Sequence, residues 1–414
     1  MKRIIFLIGC KNLLRNKRRS LLTLCILIFG ATGLLLVGGF FENIQEGLRE
    51  QTIHSQTGHL QINRAGYFEK GASRPAEFYL NQLSDLKNQI DNIPEVSFTL
   101  PRLQFTGLAT SEKTGISVLA LGVDPSLETR MGNFTASNVK HPSTQIIAGQ
   151  DLDENDPQGV LLGKGLMQSL GLKVGDHLSF ITTQENGTID GMEFQIRGVF
   201  ETIMKDFNDR VLKMNIKTGQ KILGSDDKFQ SLLVVLHQTT DTEKIKSHIQ
   251  NKLGASFEVI PWHQLNHYYK QGDMLLKKIH HIILFIMCII FLLSIANTMN
   301  MTLLERTREF GTMMAMGNPQ STIFSVITFE AIALGFLGAT LGVIIGSSIA
   351  YIISSIGIEM PPPPQGSTGY TAMMTLTFPL LIQVWLTCFV STVLASIIPA
   401  YRACHFNITE ALSY

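Results

Sequence analysis

No aspartate or glutamate precedes Glu42, although Lys2, Arg3, Lys11, Arg15, Lys17, Arg18 and Arg19 crowd the same stretch. Cysteine is missing from the whole of 42–278; the five cysteines are Cys10, Cys25, Cys288, Cys388 and Cys404. If 42–278 lies outside the cell it therefore folds without disulfides, which a segment of that length can do by burying its own core. A phosphate loop is lacking too. Residues 159–165 (GVLLGKG) come nearest, but the spacing to Gly163-Lys164 is one residue short and Gly165 stands where Ser or Thr would bind magnesium. That segment reads as a β-to-α turn. Net charge of either sign is nearly absent at +1, which argues against a nucleic-acid partner needing a basic face.

Apolar residues are abundant: 45% of the 414 are hydrophobic and only 16% are charged. They gather into four runs, 21–41, 279–304, 321–358 (charge-free from 331) and 376–401 (apolar core 376–398). Each reaches the ~20 residues that cross ~30 Å of hydrocarbon, so four transmembrane helices are expected. The basic N-terminal cluster keeps that end inside by the positive-inside rule. This assigns 42–278 to the periplasm, 305–320 to a short cytoplasmic loop, 359–375 to an outer loop without Lys or Arg, and the tail 402–414 to the cytoplasm. The expected location is a bacterial inner membrane, multi-pass, with both termini cytoplasmic. Residues 1–20 read as an amphipathic elbow helix, with Ile4, Ile5, Ile8 and Leu13 in lipid and the charges in water. Leu7-Ile8-Gly9-Cys10 matches a lipoprotein cleavage pattern, but too few apolar residues precede Cys10 for a signal peptide.

The stretch 42–278 reads as mixed α and β. Strands are expected at 58–63, 97–106, 116–122, 231–236 and 257–260, and helices at 80–90 and 242–253. Residues 160–170 look like a strand end running into a short helix that leaves through the turn 171–175. A hairpin of 177–182 and 192–200 is expected around Asn186-Gly187. The pattern suggests one α/β lobe made from both ends, with a second lobe, about 124–224, inserted into it. His263 and His267 stand four apart, a spacing that can bind zinc, but no Glu beside His263 and no third ligand accompany them. A polar helical stalk over 262–281, matched by another at 45–55, accounts for them. No metal, cofactor or catalytic residue is expected.

Three further features carry sequence-level meaning. Gly338, Gly342 and Gly346 form two overlapping GxxxG steps, which let membrane helices approach closely. Glu330 sits at the edge of the third span, where snorkelling or pairing makes its charge tolerable. The prolines at 361–364 favour a stiff polyproline II segment in the outer loop.

Four segments stand in a telling order: KNLLRNKRRSLLTL (11–24), VLLGKGLMQSLGLKVGD (160–176), NTMNMTLLERTREFGTMMAMG (297–317) with FEAIALGFLGATLGVIIG (329–346), and IPAYRACHFNITEAL (398–412). Together they resemble the ABC permease family typified by MacB, FtsX and the lipoprotein-releasing subunits LolC and LolE, nearest to the last group. The resemblance implies an α-helical membrane protein with four transmembrane helices plus a large two-lobed α+β periplasmic domain between helices 1 and 2. It also implies that 305–317 is a coupling helix seated in a groove of a separate ATPase. Glu305, Arg306, Arg308 and Glu309 would be its polar face, Phe310, Met313 and Met314 its apolar anchor, and Gly317 its left-handed end. The implied partners are two cytoplasmic ATPase subunits, a second permease in a homo- or heterodimer, a lipid or lipoprotein substrate and a periplasmic acceptor. The implied work is mechanical: extraction of lipoprotein or lipid, with control of a periplasmic enzyme or small-molecule efflux as alternatives. The turn 182–192 is shorter than the hook with which the lipoprotein-releasing subunit reaches its chaperone.

Overall fold

The computed structural model of the chain describes residues 17–71, 75–111, 114–134, 142–361 and 369–405. Most of the elbow helix, the prolines 362–364 and the end of the tail lie outside them. Two compact units emerge: 1–45, 273–358 and 372–414 in one, 46–272 and 359–371 in the other.

Among the described residues of the first unit, four helices are long and apolar enough to cross a membrane. They belong to α1 (Lys17–Thr52), α9 (His267–Glu305), α11 (Gln320–Ile356) and α12 (Phe378–Cys404). At 1.5 Å per residue even the 27-residue α12 is about 40 Å long, more than the hydrocarbon needs. Their shared core holds Leu27, Ala31 and Leu35 of α1, Phe291 and Ile295 of α9, Ala339 of α11, and Val384 and Cys388 of α12. Small residues recur in it because apposed backbones in lipid associate by close packing.

The second unit is built on one sheet. Its strands are β1 (Leu60–Arg64), β2 (Val96–Thr110), β3 (Gly115–Val123), β4 (Thr144–Gly149), β5 (Gly159–Gly163), β6 (His177–Thr183), β7 (Ile189–Thr202), β8 (Val211–Asn215), β9 (Ser231–Leu236) and β10 (Phe257–Pro261). They run in the order β10-β1-β9-β2-β3-β8-β5-β7-β4, and β6 pairs with both β2 and β7. That last pairing closes β2, β3, β8, β5, β7 and β6 into a ring around Leu103, Phe105, Leu162, Phe180, Phe194 and Leu212.

The open part, β10-β1-β9-β2, has helices on both faces. On β9 the buried Leu232, Val234 and Leu236 meet Leu86 and Ile90 of α2 (Leu83–Asp91), together with Ile245 and Ile249 of α7 (Thr242–Leu253). The alternate residues Leu233 and Val235 meet Met131 of α3 (Pro125–Gly132). A strand covered on both faces must be apolar throughout, which is why SLLVVL shows no polar alternation. The two cores are the two lobes. The single boundary expected near residue 124 is not found as such: the second half of β2 and β3, before it, belong to the ring, while α3, after it, packs on the open part. Local periodicity reveals a strand, not the non-local partner that assigns it to a lobe.

Further short helices include α4 (Lys164–Leu170), α5 (Lys205–Arg210), α6 (Ile216–Leu223) and α8 (Trp262–Leu265). Gly171 closes α4 at φ 67°, a left-handed conformation that glycine adopts without strain. The stalk expected over 262–281 is interrupted. α8 ends at Leu265, Asn266 is extended, and α9 begins at His267. His263 and His267 thus fall on different helices, and His263 Nε2 lies 3.5 Å from Glu243 Oε1 at the surface.

Candidate coupling site

α9 stops after Glu305 and α10 (Thr307–Ala315) starts two residues later, so Arg306 alone is the joint. The threonines around it explain the break. Thr302 Oγ1 donates to the Thr298 carbonyl and Thr307 Oγ1 to those of Leu303 and Leu304. Side chains that back-bond in this way compete with the helical ladder. At the other end Gly317 takes φ 87°, its N–H donates to Met314 O, and Asn318 N–H donates to Met313 O. A bulkier residue would resist that conformation. Pro319 then caps the start of α11.

The loop is folded against its own unit. Phe310 is 1% exposed and packs with Leu303, Ile323, Ile327, Ala400 and Ala403, while Met313 and Met314 border the same cluster. Arg306 is 7% exposed. It donates through Nη1 to Glu330 Oε2 at 3.0 Å and through Nε to Glu309 Oε2 at 2.9 Å, and its guanidinium lies 5.0 Å over the Phe310 ring. The sequence reading is corrected here: Phe310 fills the chain's own core and Arg306 its own ion pair, so neither is available as anchor or rim for another subunit. Glu330 is paired with Arg306 from the joint. The outward face of α10 and its flanks carries Glu305, Arg308, Glu309, Thr312 and Met316, the last 75% exposed. Met316 was missed because the heptad-like spacing of Phe310, Met313 and Met314 marks the apolar stripe, and the stripe faces inward.

The glycine stripe of α11 packs on α1. A methyl added to Gly338 would lie 2.6 Å from Leu27 Cδ1, one on Gly342 2.5 Å from Ala31 Cβ, and one on Gly346 3.1 Å from Thr32 Cα. Three consecutive close approaches show that hydrogen is the only substituent this contact admits without movement. Thr32 Oγ1 also reaches the Gly342 carbonyl at 3.5 Å.

Two buried polar clusters of the second unit escaped the sequence reading. Glu128 of α3 accepts from Arg102 at 2.6 Å and from Lys213 at 2.8 Å, and Lys213 lies 4.7 Å over the Phe200 ring. Burial works against the Glu128 carboxylate, but the two cations outweigh it and hold its pKa at about 2. The other cluster gathers Glu50, His54 and His59. His59 Nδ1 accepts from the Leu236 N–H, which leaves the proton on Nε2, 3.1 Å from Thr239 Oγ1; Thr239 in turn donates to Glu50 Oε1 at 2.8 Å. Both ring nitrogens of His59 are thereby engaged, so the cluster suits a hydrogen-bond relay better than a metal ion. Burial, then His54 and Arg49, lower the His59 pKa to about 3. No local spacing announces the Glu128 cluster, whose partners come from β2 and β8, whereas Glu50 and His54 stand four apart on one helical stretch, a spacing that was legible in the sequence.

Comparison with known proteins agrees with this architecture. Residues 20–252 match the family model described as MacB-like periplasmic core domain, and 281–408 match FtsX-like permease C-terminal. The chain belongs to the MacB-type, FtsX-like family of ABC permeases. It is 22% identical to an uncharacterized ABC transporter permease of Methanocaldococcus jannaschii, over 97% of this chain and 96% of that one. It is 21% identical to the lipoprotein-releasing system transmembrane protein LolC of Xylella fastidiosa, over 78% of both. It is 22% identical to the macrolide export ATP-binding/permease protein MacB of Campylobacter jejuni, over 99% of this chain but 61% of that one. The crystal structure of the periplasmic region of MacB from Actinobacillus actinomycetemcomitans aligns with 51% of this permease and 93% of that chain at 10% identity and a TM-score of 0.35.

Proposed function

We propose that this permease couples ATP hydrolysis on separate cytoplasmic ATPase subunits to the extraction of lipoprotein or lipid from a bacterial inner membrane. The protein works as a dimer with a second permease, so that two ATPases serve two coupling loops. Both termini and the loop 305–320 lie on the ATPase side. The observation that carries the reading is the division of labour on α10. One face, with Phe310 and the Arg306–Glu330 pair, locks the loop to α11 and α12, and the other presents Arg308, Glu309, Thr312 and Met316 outward. A loop that is stiff behind and adhesive in front transmits a push. Interface energy concentrates in an apolar anchor surrounded by polar groups, which Met316 among Arg308 and Glu309 resembles. The lipoprotein part of the reading rests on the likeness to LolC.

Met316→Asp and Arg308→Glu test it. Both side chains are exposed, so the variants should assemble and unfold at the wild-type temperature, yet co-purify at least tenfold less ATPase or fail to stimulate its turnover. Phe310→Ala should instead lower the unfolding temperature, since it empties a core site. If both surface variants keep the ATPase and its coupled turnover, the outward face of α10 is not the docking surface.

A further inference from the structure

Among the four membrane helices α9 is the outlier. Only 11% of its most apolar stretch is buried, against 33–44% in the other three. Its packed side is a single line, Met287, Phe291, Ile295 and Met299, set into the shared core. The opposite side carries Ile286, Ile290, Leu293 and Leu304, all exposed. Lipid tails can cover such residues unaided. Asn297, exposed on the same side, is a different matter.

The Asn297 side chain makes no hydrogen bond among the described residues. With the ~30 Å of hydrocarbon centred on the apolar run 279–304, this residue lies about 8 Å from the mid-plane and about 7 Å inside the nearer edge. Unlike lysine or arginine, it is too short to reach water from that depth. A lipid tail offers neither donor nor acceptor, and an unmet amide in hydrocarbon is costly. The residues around it follow a heptad. Ile286, Leu293 and Asn300 share one position, and Ile290, Asn297 and Leu304 stand four residues after each. That repeat is the seam of a left-handed pair of helices. Asn300, about 2 Å from the hydrocarbon edge on the same placement, is within reach of water.

Whatever covers this side must bring both a donor and an acceptor to the depth of Asn297. A second copy of the chain does so without any further assumption. Both copies insert in the same sense, so their α9 helices run parallel and set Asn297 opposite Asn297 at one height. A carboxamide donates through Nδ2 and accepts through Oδ1, so two asparagines related by a two-fold axis satisfy each other reciprocally. One asparagine in an otherwise apolar seam also fixes the register of the pair. We infer that two copies of this chain pair through the exposed side of α9, with the Asn297 amides hydrogen-bonded across the two-fold axis. The inference rests on the reading of this permease as one of two, and it names the other as an identical copy meeting it along this seam. A different permease in that place would overturn it and leave the reading itself intact.

The test uses the full chain, produced alone in two differently tagged forms and reconstituted together in phosphatidylcholine vesicles at high lipid excess. The photoreactive residue p-benzoylphenylalanine in place of Leu293, on the seam, should cross-link one tagged form to α9 of the other. The same probe in place of Phe285, which is exposed but about 100° round the helix from Ile286, should not. Energy transfer between copies carrying donor and acceptor dyes, followed on dilution with lipid, gives the dissociation constant. Asn297→Leu should raise it about fivefold, the scale of one hydrogen bond between membrane helices. Asn297→Gln, which keeps a donor and an acceptor, should stay near the wild type. Cross-linking leaves Asn297 in place, so it decides even if Asn297→Leu fails to insert. No link between copies at 293, equal links at 293 and 285, or an unchanged dissociation constant in an inserted Asn297→Leu overturns the proposal. A link from 293 to a different polypeptide in bacterial membranes overturns it as well, while co-purification of the ATPase from the same membranes would uphold the permease reading.

Discussion

Replacing Gly342 by alanine adds a single methyl at the tightest point between α11 and α1. That methyl would sit 2.5 Å from Ala31 Cβ, with the Ile28 Cα next at 3.3 Å. Carbon atoms pack at about 3.5–4 Å, so the helices must part by about 1 Å or shear. Overpacking of this kind costs about 1–3 kcal/mol, against a gain of up to about 1 kcal/mol in helix propensity for leaving glycine. Gly342→Ala should therefore destabilise the protein by about 1–2 kcal/mol. The offending atom is identified, so a double-mutant cycle can isolate it. Ala31→Gly removes that methyl, and in this background Gly342→Ala should be almost free, giving a coupling energy of at least about 1 kcal/mol. Gly33→Ala on the same α1 helix is the control, because a methyl there meets nothing within 4 Å. It should be neutral or slightly stabilising. Unfolding of the detergent-solubilised protein, followed by helical circular dichroism against temperature or denaturant, supplies the four corners. Additive effects of Gly342→Ala and Ala31→Gly would refute the contact. So would a cost at Gly33 equal to that at Gly342, which would trace the penalty to glycine loss in general.

Two further perturbations address the polar clusters. His59 is neutral in the fold, with its pKa lowered from 6.5 to about 3 by burial first, so the unfolded chain binds the extra proton between those values. Its contribution is fully present above pH 6.5 and declines by about 1.4 kcal/mol per unit as pH falls towards 3. Unfolding midpoints from pH 8 to 4.5 should show this slope, and His59→Gln should flatten it by one proton; an unchanged slope would sink the assignment. Arg306→Met should cost about 3 kcal/mol, because it takes the guanidinium from the buried Glu330, whereas Arg308→Met on the exposed face should cost less than about 0.5 kcal/mol. Equal costs by thermal unfolding would contradict the packing of the joint.

Much of this permease is written locally. Charge-free runs longer than a bilayer is thick can only be membrane helices, so the spans were legible without any partner. The strands SLLVVL and GVLLG and the helix 242–253 were likewise legible, because burial imposes a residue pattern on the element that is buried. Gly317 carried its own instruction, since a backbone at φ 87° favours glycine whatever surrounds it. Tertiary structure alone decided the rest. An apolar stripe on 305–317 has the same period whether it meets another subunit or this chain's own α11 and α12, so Phe310 was misread and Met316 overlooked. Closure of the ring by β6 on β2 and the pairing of Arg306 with Glu330 arise from residues far apart in the chain. Their energies come from register and burial, which are properties of the assembled fold and leave no periodic trace in the residues that share them.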